Sequence, residues 1–418
     1  MAGGTKPYPL SSMEMRTMSN IITPQSFANR TPRQVALPPH AYTGEVSDVV
    51  RQLAPVNPLY IMWPERIAEA AKQFLTQFPG ETVYATKCNP DKIAIQTMYR
   101  AGVRAFDVAS IGEVRLVRKL APKAKLYFMH TIKSPEAIAE AYKVHGVRAF
   151  VLDSMDELYK IMRATELAQD LELFVRMALP KNSKAQIDFS TKFGALPYDA
   201  ADLLKACRPV ASRLGLCLHV GTQCTDPAAY KRAVKVAAQV LKASKVSIDV
   251  LDVGGGFPVE YPGSQPLPPF QDFVDTITSA LKAQKMDTIP LMCEPGRALV
   301  ANAVSLVVRV EGRKGNLLHI NDGTYGGLFD AGAQVRARYA TKVISRNGTA
   351  RREQDLVPYR FAGPTCDSID MMKGPFMLPS DIVAGDWIEI QTMGAYSQAL
   401  RSNFNDFGHA DQIVMKKI

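Results

Sequence analysis

TVYATKCNPDKIAIQTMYRAGVRAFD, residues 82–107, holds one complete structural unit. The apolar run Val83-Tyr84-Ala85 stops short of Lys87. Asp91 through Arg100 then shows helical spacing closed by Gly102, and a second apolar run, Ala105-Phe106, stops at Asp107. A run without polar alternation reads as a strand covered on both faces, the environment that a parallel sheet with helical crossovers provides. A lysine at the tip of such a strand then calls for a physical reason.

The same grammar recurs up to about residue 300. Further apolar runs are Leu126-Tyr127-Phe128, Phe150-Val151-Leu152, Leu173-Phe174-Val175, Leu216-Cys217-Leu218, Val250-Leu251 and Leu291-Met292-Cys293. Helical segments separate them, such as Ile111 to Leu120 before Pro122. Eight strand-helix units imply closure into a barrel, with an open doubly wound sheet as the rival. The polar groups at the run ends favour the barrel: Lys87, Asp107, His130, Asp153, Arg176, His219, Gly254-Gly255-Gly256 and Glu294 would all gather at one mouth.

After about residue 304 apolar and polar residues alternate, as in AVSLVVRVEG and DWIEIQTMGAY, which reads as antiparallel β structure. The expected class is α/β, a (β/α)8 TIM-like barrel over 63–303 with a mostly antiparallel β domain of modified Greek-key type over 304–418. Residues 41–62 are expected to lend strands to that β domain. Residues 1–40, rich in Pro, Ser, Thr and Met with Glu14 as their sole acid, are expected to form a flexible arm.

Composition narrows the functional classes. The chain of 418 residues is 47% hydrophobic and 22% charged, ordinary for a globular protein with a sizeable core. Its formal charge of +10 is spread along the sequence without a basic block, so nucleic-acid binding is not expected. Membrane insertion is not expected either, because no long apolar run appears. The six cysteines lack CxxC spacing, which argues against zinc and a disulfide framework and for a cytoplasmic setting.

The strand-end residues suggest chemistry when taken together. A lysine in a partly apolar pocket is expected to have a lowered pKa, and its neutral amine can condense with a carbonyl. LDVGGGFP, residues 251–258, lets backbone amides approach an anion, although it lacks the spacing of a dinucleotide fingerprint. CEPGRALVA, residues 293–301, offers Glu294 to a protonated ring nitrogen and Arg297, beside Gly296, to a phosphate. Lysine, anion cradle and carboxylate together describe a pyridoxal phosphate site. His219 has a flat ring suited to stacking, and Cys366-Asp367 pairs a thiol with a carboxylate in a Gly-Pro loop. Singly, each residue has an ordinary structural explanation.

In this order and spacing, over about residues 82 to 407, the motifs resemble the ornithine/diaminopimelate/arginine decarboxylase family of barrel-type pyridoxal phosphate enzymes. NSKAQIDFSTKFGA and MGAYSQALRSNFNDF match as well. The resemblance implies that Lys87 carries the cofactor covalently, His219 stacks on its ring and Glu294 pairs with the ring nitrogen. Gly255, Gly256, Thr222, Gly296, Arg297 and Tyr396 would bind the phosphate, with Thr222 standing where ornithine decarboxylases usually have serine. Asp107 and Arg176 would lie near the cofactor. Cys366 would donate a proton to Cα and Asp367 would hold the substrate's distal ammonium, both from the neighbouring subunit of a homodimer.

Cys366-Asp367 favours diamine-forming members of polyamine biosynthesis, with L-ornithine to putrescine ahead of lysine to cadaverine. Diaminopimelate enzymes typically have glutamate after the cysteine. Ornithine decarboxylases, however, carry a second substrate-binding aspartate after DGxYG. In DGTYGGLFDAGAQVRARY, Asp330 comes too early and Ala333 or Gln334 falls near the expected place. The resemblance also admits a diaminopimelate-type enzyme, a non-catalytic regulatory homologue and a barrel-type racemase. Intact Lys87, Glu294 and Cys366 oppose the idle homologue, and the Cys-Asp loop opposes the racemase.

Overall fold

Side chains that alternate between an inner and an outer face, both buried, turn the continuous apolar runs into a closed barrel. The computed structural model describes residues 41–180, 192–349 and 355–416. Strand β1 (Leu59–Met62) precedes β2 (Glu81–Ala85), β3 (Ala105–Val108), β4 (Lys125–Phe128) and β5 (Ala149–Leu152). β6 (Glu172–Arg176), β7 (Arg213–Cys217), β8 (Val250–Asp252) and β9 (Leu291–Cys293) complete this series. Strands β2 to β9 pair in sequence order, all parallel, and β9 closes on β2 with Met292 opposite Glu81.

Val83, Ala105, Ala149, Val151, Phe174, Cys217, Val250 and Met292 form one inner cluster. The alternate residues Tyr84, Phe106, Phe150, Leu152, Leu173, Val175, Leu216 and Leu251 belong instead to the larger core shared with the helices. Both faces of each strand are thus dry, as the sequence runs require. Counting two residues on from Ala105, Phe174, Cys217, Val250 and Met292 reaches Asp107, Arg176, His219, Asp252 and Glu294. The parity that fills the interior therefore delivers polar groups to the C-terminal mouth.

The crossover helices start and stop where their end residues dictate. Asp91 accepts hydrogen bonds from the Ile93 and Ala94 amides at the start of Lys92–Ala101, and Gly102, at φ 112°, ends it. Ser110 caps Ile111–Leu120 through the Glu113 amide, and the Glu113 carboxylate reaches back to the Ala109 amide.

The remaining strands are β10 (Val304–Lys314), β11 (Leu317–Ile320), β12 (Thr341–Ile344), β13 (Leu356–Ala362), β14 (Met371–Pro379), β15 (Trp387–Ile390) and β16 (Asp411–Val414). They and β1 form one sheet, antiparallel except for the β1–β16 and β11–β13 pairings. Residues 41–62 correct an expectation. They supply one strand rather than several, since Val46–Leu53 is a helix whose Val46, Val49, Val50 and Leu53 recur at helical spacing. Tyr42 adds only an isolated bridge to Met415.

The expected arm over 1–40 and residues 182–191 of NSKAQIDFSTKFGA lie outside the described residues. Among the described residues, no helix is long and apolar enough to cross a membrane.

Candidate active site

A cavity of about 340 Å³ opens at the barrel mouth, and strand-end residues line it. Lys87 lies just past β2 in the short turn Thr86–Cys88 and reaches this cavity. Its Nζ donates to Asp107 Oδ2 at 2.8 Å, while the other carboxylate oxygen, Oδ1, is buried without a partner. The lowered lysine pKa expected from a partly apolar pocket is corrected here. Burial does push Lys87 down, but the charges of Asp107, Glu294 and Tyr396 and the Asp107 hydrogen bond outweigh it, leaving Lys87 raised. Without a ligand it is an ammonium, paired with the Asp107 carboxylate.

Beneath the cavity lies an acidic cluster. Cys217 Sγ and one carboxylate oxygen each of Asp252 and Glu294 lie within 4.8 Å of one another. Asp252 is fully buried and accepts the Gly254 amide through Oδ1 at 2.8 Å, leaving Oδ2 unpartnered. Glu294 is also buried, with Oε1 unpartnered. Burial raises Asp252 to about 7, with the Gly254 amide opposing the rise and the charge of Asp107 adding to it. Burial, Asp252 and Asp107 raise Glu294 well above the usual carboxylate range. Two buried acids this close hold protons that isolated carboxylates lose.

His219 lies just past β7 and is neutral at pH 7, because burial, Arg176 and Lys87 all lower its pKa. Its Nδ1 accepts the Gly221 amide at 3.0 Å, which fixes the ring. Arg176, at the end of β6, lines the same cavity near the Phe193 ring.

The glycine loop after β8 is built by close packing. Gly256 has φ 100°, and a Cβ there would stand 2.3 Å from the Gly221 carbonyl oxygen. At Gly255 a Cβ would meet the Glu294 carbonyl oxygen at 2.6 Å. The Gly255 and Gly256 carbonyls accept from Tyr230 Oη and the Cys224 amide, at 2.8 and 2.9 Å. Thr222, Gly296, Arg297 and Tyr396 complete this side of the cavity. Arg297 is buried rather than engaged in a surface pair: it donates to Tyr261 Oη at 2.7 Å and to Asp330 Oδ2 at 3.3 Å. Its guanidinium also lies over the Tyr396 ring, 5.2 Å from the centroid. Tyr396 comes from the β domain, held by its amide to the Cys88 carbonyl at 2.9 Å.

Cys366 and Asp367 are not brought into this cavity. Both lie in the loop between β13 and β14, Cys366 exposed and Asp367 half-buried, and the Asp367 carboxylate, held ionised by Tyr325 and the Ile369 amide, accepts from Tyr325 Oη at 2.5 Å. Asp153 also turns away, accepting the Gly194 amide at 2.9 Å. Asp252 and Asp330 were missed from the sequence as site residues. The two-residue count from Val250 could have found Asp252, whereas no local signal joins Asp330 to Arg297.

Known proteins place this geometry. Residues 64–301 match the family described as pyridoxal-dependent decarboxylase, pyridoxal binding domain. The chloroplastic ornithine decarboxylase of Nicotiana glauca is 32% identical over 371 residues, covering 84% of this chain and 82% of its own. A lysine/ornithine decarboxylase of Selenomonas ruminantium is 31% identical over 80% of this chain and 83% of its own. The arginine decarboxylase of Paramecium bursaria Chlorella virus, solved with agmatine bound, has a TM-score of 0.76 at 26% identity, over 88% of this chain and 99% of that one.

The cavity fits pyridoxal phosphate: Lys87 can hold its aldehyde carbon, the unpartnered Glu294 Oε1 can accept from a protonated ring nitrogen, and the glycine cradle with Arg297 suits a phosphate. With the matched barrel and relatives at this identity and coverage, the chain belongs to the pyridoxal-phosphate-dependent decarboxylase family that includes ornithine and lysine/ornithine decarboxylases.

Proposed function

We propose that this chain decarboxylates L-ornithine to putrescine, with L-lysine to cadaverine as the slower reaction. The observation carrying the reading is that Lys87, the unpartnered Glu294 carboxylate and the buried Arg297 line one cavity. When bound, pyridoxal phosphate supplies an electron sink for the pair left on Cα as carbon dioxide departs. Lys87 would anchor the cofactor, positioned by its pairing with Asp107. Glu294 holds a proton at the ring nitrogen, which makes that sink effective, and neutral His219 packs on the ring. Gly255, Gly256, Thr222, Gly296, Arg297 and Tyr396 hold the phosphate end, and Arg176 borders the ring.

Cys366 and Asp367 are outside their own chain's cavity, so in this proposal the protein works as a homodimer. Cys366 of the partner subunit returns a proton to Cα, and Asp367 of the partner subunit, ionised, receives the distal ammonium. Exposed Ile369, Phe404 and Phe407 support a covered face in this region. Asp367 favours a substrate with a cationic tail, in keeping with the substrates named for the similar decarboxylases.

A panel of ornithine, lysine, arginine and diaminopimelate, with carbon dioxide and amine products identified, tests the reading. The expected result is putrescine from ornithine at the highest kcat/KM, with cadaverine second. Preference for arginine or diaminopimelate, or no amine from ornithine, would overturn it.

A further inference from the structure

Arg297 already serves one anion. Its Nη2 donates to Asp330 Oδ2 at 3.3 Å, in an ion pair whose side chains are only 7% and 11% exposed. Its Nη1 is taken by Tyr261 Oη at 2.7 Å, and its Nε is buried without a hydrogen-bond partner. Asp330 belongs to the short turn Phe329–Ala331, where its carbonyl accepts the Ala337 amide at 2.7 Å. It lines the same cavity as Thr222, Gly256 and Tyr396. A carboxylate thus sits inside the cradle proposed for a phosphate.

We infer that Asp330 is a built-in competitor for the cofactor's phosphate on Arg297 and sets how firmly the chain retains its cofactor. The inference rests on the reading of Arg297 as a phosphate ligand. A phosphate and a carboxylate on one buried guanidinium repel each other, because little water screens them. Phosphate binding at this guanidinium is therefore opposed unless Asp330 releases Nη2 or takes up a proton. Each route subtracts from phosphate affinity. Burial raises the Asp330 carboxyl while Arg297 opposes that, which keeps the proton-uptake route accessible. Tyr261, Tyr339, Tyr396 and Cys88 are the other titratable groups around this pair.

The test compares full-length wild type, Asp330→Asn, Asp330→Ser and Arg297→Gln, each stripped of cofactor with a competing amine and confirmed folded by thermal melting. Each is titrated with pyridoxal phosphate and with pyridoxal, which lacks the phosphate, by absorbance and tryptophan fluorescence. Both Asp330 variants should bind pyridoxal phosphate about tenfold more tightly than wild type, the scale of one charge-assisted hydrogen bond. Their pyridoxal affinity should be unchanged.

Unchanged or weaker pyridoxal phosphate binding in Asp330→Asn and Asp330→Ser, or an equal gain for pyridoxal, would overturn the inference. Arg297→Gln separates the two claims. If it selectively weakens pyridoxal phosphate binding while the Asp330 variants show no gain, the phosphate reading stands and the competitor falls. If it leaves pyridoxal phosphate binding unchanged, both fall.

Discussion

Asp252 and Glu294 are two buried acidic groups whose proton affinity is raised by burial and by the charge of Asp107, with Asp252 adding to the rise at Glu294. Asp252, at about 7, binds a proton in the folded chain at pH values where the unfolded chain has lost it. Stability from that proton is present at low pH and is lost as pH rises from the ordinary carboxylate range through about 7. In protein stripped of cofactor, Asp252→Asn should raise Tm at pH 8 by about 2 °C or more, with the gain shrinking toward pH 4. A gain equal at both pH values would contradict this. Lys87, Asp107, His219 and Glu294 were legible in the sequence because each ends an apolar run. Asp252 was hidden by the glycines after it, and Asp330 by the 33-residue separation from Arg297.

At the scale of elements, the loop after β8 places backbone against backbone. A side chain at Gly256 would meet the Gly221 carbonyl at 2.3 Å, with the backbone at φ 100°. Gly256→Ala should lower pyridoxal phosphate affinity at least about tenfold and destabilise the fold by roughly 1–3 kcal/mol, read from a cofactor titration and chemical denaturation. Wild-type values for both would show that the loop is not under this constraint. The glycine run was legible as a cradle, but not its supports, since Tyr230 and Cys224 reach it from elsewhere in the chain. The barrel helices were legible from their caps and terminal glycines. Val46–Leu53 was not read as a helix, because residues 41–62 were expected to lend strands to the β domain.

At the scale of the whole molecule, barrel and sheet meet where Tyr396 joins the mouth through the Cys88 carbonyl. The alternation of apolar runs and helices revealed the barrel because parity and crossover length constrain a parallel sheet strongly. The sheet was legible as a class, but its order was not, since β1 meets β10, Leu59 opposite Val307, across the whole intervening barrel and only once the chain has folded. The proposed homodimer is tested by mixing inactive subunits. Equal amounts of Lys87→Ala and Cys366→Ala chains, refolded together or co-expressed, should recover about a quarter of wild-type activity, as statistical pairing gives one intact site in half of the dimers. No recovery would contradict a shared site.

The central claim is that Lys87 carries the cofactor. Borohydride reduction of the pyridoxal phosphate-loaded protein and then peptide mass spectrometry test it most directly, since reduction fixes the cofactor to whichever amine holds it. The phosphopyridoxyl mass should appear on Lys87 and be absent from that position in Lys87→Ala; its presence on another lysine instead, or on none, would contradict the account.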